Sequence, residues 1–525
     1  MQLLKKYADY SSQIYVWLLT ILIVSLPFSP FLVSLSQILL LVNWLLEGNF
    51  HQKLFRLKHR RSIWIFVSFY LMHLLWLVGT EDWNHAGETL RIKLPLLVLP
   101  IIIGTSDDLS PRKIMIILRW FIIGLFAATI MSLGMYWGWW GMPIRDIREI
   151  SPFISHIRFS LLIVVAIFTL MHWIKSSERV LSKIQLLHML AIVWFVLFLF
   201  FMKALTGVVI LAVTFFLLLL VFVNRIENQL LKIFFITLMY AIPFFSVITV
   251  VKVYYQYHRE SAIAKDTLPS YTINGNSYFH DTSHWAVENG HRVWLYVCEP
   301  ELRKEWNKRS RIPYDSLDRK GQPLKSTLIR YMTSLGLPKD SVGITKLKGI
   351  DIVNVENGLT NVVFTKKYSI IPRIYEVIWE LDFYKHTGAV DNHSVVQRFV
   401  YYQIAFHLIK HHFLLGVGTG DLPKEYLHYY QTHPTGISPE RWWQTHNQYL
   451  RVFATFGLIG FVIFLIAFIA PPFFERKWQS YYFLMAFLVI MLSFINEDTL
   501  ETQAGVTFTA FFYSLFLWGA SRKLP

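Results

Sequence analysis

Cysteine is almost missing from this chain of 525 residues, where Cys298 stands alone. An internal disulfide framework is therefore excluded, and so is a cysteine-based zinc site. Charge is scarce too: 16% of residues are charged against 54% hydrophobic, and the mean hydropathy is +0.42. A water-soluble globule of ordinary surface cannot be made from that balance, so the chain reads as a polytopic membrane protein. Internal repeats and low-complexity tracts do not stand out. The first apolar run, behind Lys5 and Lys6, lacks a small-residue cleavage site and is expected to stay as a helix rather than to leave as a signal peptide.

Aromatic residues are plentiful, at 17% with 19 Trp and 26 Tyr, which suits rings anchored at bilayer interfaces. The net charge of +16 sits mostly in short loops between apolar runs, where it orients a membrane protein; nucleic acid is not an expected partner. Apolar windows predict twelve spans: Ile14–Phe28, Phe31–Leu46, Ile63–Gly79, Leu94–Gly104, Ile114–Gly134, Ile157–Ile174, Ile184–Met202, Gly207–Val223, Ile233–Val251, Phe456–Phe474, Tyr481–Ile495 and Gly505–Gly519. The fourth carries Pro95 and Pro100 and is expected to be tilted or broken. If the loop Glu47–Arg61, with five Lys/Arg, is cytoplasmic, then so are Thr105–Lys113, Lys175–Lys183, Asn224–Lys232, Glu475–Gln479 and both termini. The turns near Glu81, Asp146 and Glu497 then lie outside, with one large insert from Lys252 to about Thr455.

The expected fold class is thus an all-α polytopic membrane protein of about 12 transmembrane helices with a large outer α+β insert. Residues 1–251 would form an N-terminal bundle of about nine helices, 252–395 the insert, 396–455 outer helices and a loop, and 456–525 the C-terminal spans. The insert, to Val395, has 20 Lys/Arg against 16 Asp/Glu, and long translocated domains escape the charge rule. Within it, YTINGNSYFH (Tyr271–His280) suggests a type I′ hairpin at Asn274-Gly275, and HRVWLYVC a second strand. PELRKEWNKRS and STLIRYMTSLG (Ser326–Gly336) predict short helices, the latter stopped by Gly336. From Ser394 the pattern is helical again, with Gly416 as its stop.

Four constellations could carry chemistry. In QTHNQYLRVFATFGLIG (Gln444–Gly460), His446 and Asn447 stand at the mouth of a span; the ring is either part of an aromatic belt with Trp442 and Trp443, or a general base, the usual task of a neutral imidazole. Arg398, in an otherwise apolar helical run, either pairs with Asp391, snorkels to water, or holds an anionic ligand. Arg158, Arg373 and Arg259 raise the same question, since the guanidinium fork suits phosphate. In GVGTGD (Gly416–Asp421), Gly416 and Gly418 could bring amides to a phosphate or simply make a tight turn, as a P-loop Lys-Ser/Thr is lacking. His407 with His411, and His280 with His284 beside Asp281, have helical spacing for zinc, but with no third ligand or HExxH glutamate no metal is assigned.

Taken together, SVVQRF (Ser394–Phe399), HFLLGVGTGD (His412–Asp421), THNQYL (Thr445–Leu450) and FGLIG (Phe456–Gly460) resemble the O-antigen ligase family, which includes O-antigen polymerases and protein O-oligosaccharyltransferases. The likeness is most specific across Ser394–Pro472. It implies a helical bundle in the bacterial inner membrane with a periplasmic domain over a lateral cleft. It also implies that His446 is the essential periplasmic histidine and Arg398 an essential arginine, with Arg158, Arg373 and Arg259 competing for a second arginine's place. Glu497, in NEDTLETQAG, would orient the histidine or an arginine unless that loop is merely solvated. The implied activity is a metal-independent, inverting glycosyl transfer without cofactor. Its donor is a glycan on a polyprenyl diphosphate; its acceptor a lipid A-core, a second lipid-linked glycan or a protein hydroxyl. A glycolipid transporter or flippase, with Arg158 and Arg398 as path charges, is the reading from another class; a one-sided insert and no evident inverted halves weigh against it.

Overall fold

The computed structural model describes residues 2–139, 150–151, 154–176, 182–223, 226–259, 268–366, 369–391 and 393–520, with side chains from Tyr10 onward. The outer turn expected at Asp146 lies outside the described residues. The chain divides into two compact units: 1–227 with 398–435 and 439–525, and 228–397 with 436–438.

All twelve apolar windows fall on helices. In chain order the first unit has α1 (Gln2–Ser25), α2 (Pro30–Leu46), α3 (Phe50–His59), α4 (Arg61–Leu75), α5 (Trp83–Lys93), α6 (Pro95–Thr105), α7 (Pro111–Tyr136), α8 (His156–Lys175), α9 (Lys183–Phe201) and α10 (Leu205–Phe222). The second unit has α11 (Gln229–His258), α12 (Glu299–Arg309), α13 (Leu324–Ser334), α14 (Ser341–Lys346), α15 (Gly349–Glu356) and α16 (Ile371–Thr387). Then come α17 (Ser394–His411), α18 (Leu422–Thr432), α19 (Gln448–Ile469), α20 (Pro471–Phe474), α21 (Tyr481–Asn496) and α22 (Gln503–Ser514). Only six described helices are long and apolar enough to cross a bilayer by themselves, or seven if α2 and α3, bent by 110°, count as one span. The windows on α2, α4, α6, α21 and α22 make helices of 17, 15, 11, 16 and 12 residues. Pro95 opens α6 and Pro100 sits inside it, leaving 11 residues; α22 gives way after Ser514 to a π-helical turn, Leu515–Gly519.

Aromatic side chains knit the first unit's core. Phe66 on α4 stacks on Tyr513 of α22, with ring centres 4.4 Å apart, and meets Phe468 of α19 at 5.2 Å, while Phe69 meets Phe464 at 5.1 Å. Such edge and offset contacts add to dispersion, which has to carry helix association where lipid is as apolar as the side chains. The loops of this unit gather at two ends. At one end Arg56 pairs with Asp107 at 2.5 Å, Ser62 donates to Glu475 at 2.6 Å and the Lys477 ammonium to the Ala520 carbonyl at 3.0 Å. At the other, the Glu81 and Asp82 amides donate to Asp421 at 3.0 and 2.9 Å, and Lys93 to Glu501 at 2.9 Å.

The second unit departs from the α+β expectation. It is helical around Trp306, Leu328 and Tyr331, and its one described sheet is a pair of two-residue strands, Val287–Glu288 with His291–Arg292. The two-residue turn with both central residues at positive φ is Asn289-Gly290 (50° and 87°), which fixes that pair. At the expected site, Gly275 alone has positive φ, the Gly275 amide donates to the Thr272 carbonyl and the Thr272 amide to the Asn276 carbonyl, so the reversal is a type I turn closed by a glycine bulge. Beyond Arg292 the run HRVWLYVC forms no further strand, and Val297 makes isolated bridges with Phe279 and Lys339.

α19 is interrupted. Gly457 has φ 64° and ψ −167°, and the freed amides of Leu458 and Ile459 donate to the Phe413 and Leu414 carbonyls at 2.8 and 3.3 Å. A Cβ at Gly457 would lie 2.3 Å from the Leu414 carbonyl carbon. Gly457→Ala should therefore destabilise the protein well beyond the left-handed backbone cost of about 1–2 kcal/mol. Gly48→Ala, also at positive φ but with open space around its Cβ, should show that cost alone. Thermal unfolding of the two purified variants makes the comparison.

Candidate functional site

The amino end of α19 is set by its own sequence. Asn447 is the N-cap, its side-chain oxygen accepting from the Leu450 amide at 3.0 Å, and its side-chain nitrogen donates to the Ile495 carbonyl at 2.8 Å. The preceding residue, His446, has φ 48°, a left-handed conformation that a non-glycine residue keeps only when its surroundings hold it. Asp498 does the holding. Its carboxylate accepts from the His446 amide at 3.2 Å and from the Thr445 hydroxyl at 3.3 Å. The imidazole itself lies half-buried, near the rings of Tyr401 and Trp443 at 6.0 and 5.7 Å.

The structure brings several of the expected residues together. Arg398 on α17 donates to the Asn496 side chain, and Arg158 at the start of α8 donates to Ser155 at 2.9 Å and to the Asp498 carbonyl at 3.4 Å. The Nε–H of Arg158 is buried and has no hydrogen-bond partner among the described residues. Both guanidiniums act electrostatically on His446 and on Glu497. Burial lowers the affinity of the His446 ring for a proton; Asp498 opposes this, and Arg398, Arg158 and Arg451 reinforce it, so the ring is neutral at neutral pH. Burial pushes the Glu497 carboxyl up to about 7, with the two arginines pulling the other way. A neutral base thus stands beside two cations, an arrangement able to take a proton near an anionic group.

The Asp391 pairing considered for Arg398 is replaced by Asn496, while Asp391 accepts from the Ser438 amide at 3.2 Å. Arg373 pairs with Glu376 at 2.7 Å, and Arg259 caps the exposed end of α11; both belong to the second unit. The amides of Gly416 and Gly418 donate to His412 and Thr455 carbonyls at 2.8 and 2.9 Å, and a Cβ at Gly416 would meet backbone at 2.4 Å. GVGTGD is therefore a packing turn, the amides of Gly416 and Gly418 spent within the protein. His280 and His284 lie on no helix, and among the described residues no three His, Cys, Asp or Glu side chains are placed to hold a metal ion.

Sequence reasoning missed the layer beneath the histidine. Arg451, one turn into α19, contacts Glu501 through Nε at 3.1 Å and Asp498 at 3.9 Å, and it also donates to Gln444. Glu501 further accepts from Lys93 at 2.9 Å and Gln448 at 3.0 Å. An arginine just inside an apolar run, with three acids following the next span, was the available signal. Burial alone would raise the Glu501 carboxyl, yet Arg451 and Lys93 outweigh it and hold the group below the usual carboxylate range. Lys93 in turn is lowered by burial against the pull of Glu501.

Residues 353–465 match the family model described as O-Antigen ligase. The match includes Arg373, Arg398, the glycine loop and His446, and ends before Glu497. No curated protein matches the chain.

Removing one charge from the buried set leaves the others uncompensated, so Glu501→Gln should cost about 3–5 kcal/mol in thermal unfolding. Because the folded carboxyl sits below its unfolded value of 4.5, its contribution is present above that pH and lost as pH falls below it. The acid limb of the stability profile should flatten in Glu501→Gln.

Proposed function

Because the chain carries an O-antigen ligase family domain, we propose that it is an inner-membrane glycosyltransferase moving a glycan from a polyprenyl diphosphate to a hydroxyl of a lipid A-core at the periplasmic face. The observation that carries this reading is that Asp498 accepts from both the half-buried His446 and Arg158, which keeps a buried N–H unspent, while Arg398 is held by the neighbouring Asn496. The site also sits at the end of the first unit opposite the basic loops, where a leaflet-facing donor would present its diphosphate.

In this reading Arg158 and Arg398 hold the diphosphate, with Glu497 balancing their charge beforehand. The acceptor oxygen forms its bond to the anomeric carbon on the face opposite the leaving group, so the configuration inverts. As that bond forms, the bond from the anomeric carbon to the diphosphate oxygen breaks and the acceptor proton passes to His446. The electron pair leaves on the diphosphate, where the guanidiniums supply the compensation a cation would otherwise give. No nucleotide sugar is required, since the donor bond is already activated. Asp498 would act through the backbone of His446, keeping the ring at headgroup depth. Polymerase or protein-transfer activity would need only a different hydroxyl at the same place. A transporter would instead place its charges midway through the bundle.

Reconstitution with purified lipid-linked glycan and each class of acceptor tests the reading directly. His446→Ala should lower turnover on the order of 10²- to 10⁴-fold, with unused donor accumulating and protein level unchanged. His446→Tyr would be tolerated only by an aromatic anchor, so wild-type turnover in it would overturn the base assignment. The active base form should persist to below pH 6.5, the ordinary value.

Arg398→Lys keeps the charge but loses the planar fork, and should lose most activity while inserting normally. Undiminished transfer in Arg398→Ala would reduce that residue to a structural partner of Asn496.

A further inference from the structure

Helix α17 runs on into an exposed apolar tip. Its last turn carries Lys410 and His411, His412 follows, all three exposed, and then the chain runs through Phe413, Leu414 and Leu415 to the turn at Gly416. Those three apolar side chains are 48%, 59% and 59% exposed, and Phe406, two turns earlier, is 58% exposed. Four large apolar groups on one short tip would be costly in water and would invite aggregation.

Two observations indicate what covers them. The first is depth. The tip is clamped to the break in α19: the Leu458 and Ile459 amides donate to the Phe413 and Leu414 carbonyls, and the Trp76 indole donates to the Leu415 carbonyl at 2.6 Å. From Leu458 the apolar chain runs to Phe474, next to Glu475 among the basic loops. At 1.5 Å per residue those 17 residues rise about 25 Å, inside a hydrocarbon layer about 30 Å thick. The tip's anchor is therefore still within the apolar layer. Exposed Leu458, Ile459, Val462 and Ile466 continue the same apolar surface along α19.

The second observation is that the carbonyls of the tip are paired. Non-helical backbone is tolerated at membrane depth only where its polar groups are paired. Here the carbonyls of Phe413, Leu414 and Leu415 each accept from a named donor, and the Gly416 amide donates to the His412 carbonyl. An exposed loop in water would have no need of that accounting.

We propose that Phe413–Leu415 is a bilayer-embedded tip whose partner is the acyl chains of outer-leaflet phospholipids, with Lys410, His411 and His412 at the level of the lipid phosphates. The basic cluster at the boundary matches anionic headgroups. The insertion fixes the depth of α17, the helix that carries Arg398, and it holds whichever glycosyl acceptor the enzyme uses.

The test uses full-length protein in vesicles of phosphatidylethanolamine and phosphatidylglycerol. Cys298, the single native cysteine, is buried and is replaced by Ser. An environment-sensitive fluorophore is then placed by Leu414→Cys or, in a second protein, Leu415→Cys, with Lys308→Cys, an exposed position on α12, as the aqueous control. Chain-labelled doxyl lipids should quench both tip positions several-fold more than the control, and aqueous iodide several-fold less. Quenching by headgroup-labelled lipid alone would place the tip at the surface and overturn the embedding. Iodide quenching equal to that at position 308 would overturn the lipid contact altogether.

Discussion

Charge buried at the mouth of an apolar bundle is the constraint from which the rest of this structure follows. Arg451 and Lys93 are nearly withdrawn from water, and neither could stay there without Glu501 between them. Meeting that requirement ties the first turn of α19, the end of α5 and the segment before α22 into one knot. Asp498, placed by the same short segment, then fixes the backbone of His446. The His446 ring is thus positioned from below by ions that lie beneath it.

Much of the fold could be read from hydropathy, because each apolar window is a local property of the chain and each became a helix. Span lengths could not. α6 starts only at Pro95 and runs 11 residues, and α19 is broken by Gly457 although the sequence there, FGLIG, is uniformly apolar. The break depends on Phe413 and Leu414, some forty residues away, which supply the carbonyls for the freed amides. The hairpin error has the same origin. Asn274-Gly275 and Asn289-Gly290 look alike in sequence, and which of them carries positive φ at both positions is decided by the strands that flank it.

The site was legible where chemistry announces itself in one residue and obscure where it is shared. His446 and Arg398 stand out because a titratable ring and a guanidinium are conspicuous beside apolar neighbours. Asp498 was overlooked beside Glu497, since a sequence does not say which of two adjacent acids turns inward. Glu497 faces the arginines, whereas Asp498 reaches the histidine backbone. The glycine loop was ambiguous for a related reason, as amides free to bind a ligand and amides spent on packing are encoded by the same residues.

The contact between Arg158 and Asp498 joins residues 340 positions apart, and that separation bears on how the protein is made. A ribosome adding roughly 5–20 residues per second needs about 20–70 s to travel from the arginine to its partner. Lys93 waits longer for Glu501. During that interval the early helices have to keep Lys93 and Arg158 without the partners that later bury them. Assembly of this bundle is therefore completed from its carboxyl end, and a chain interrupted before residue 498 would hold its arginines and histidine without the groups that set them in place.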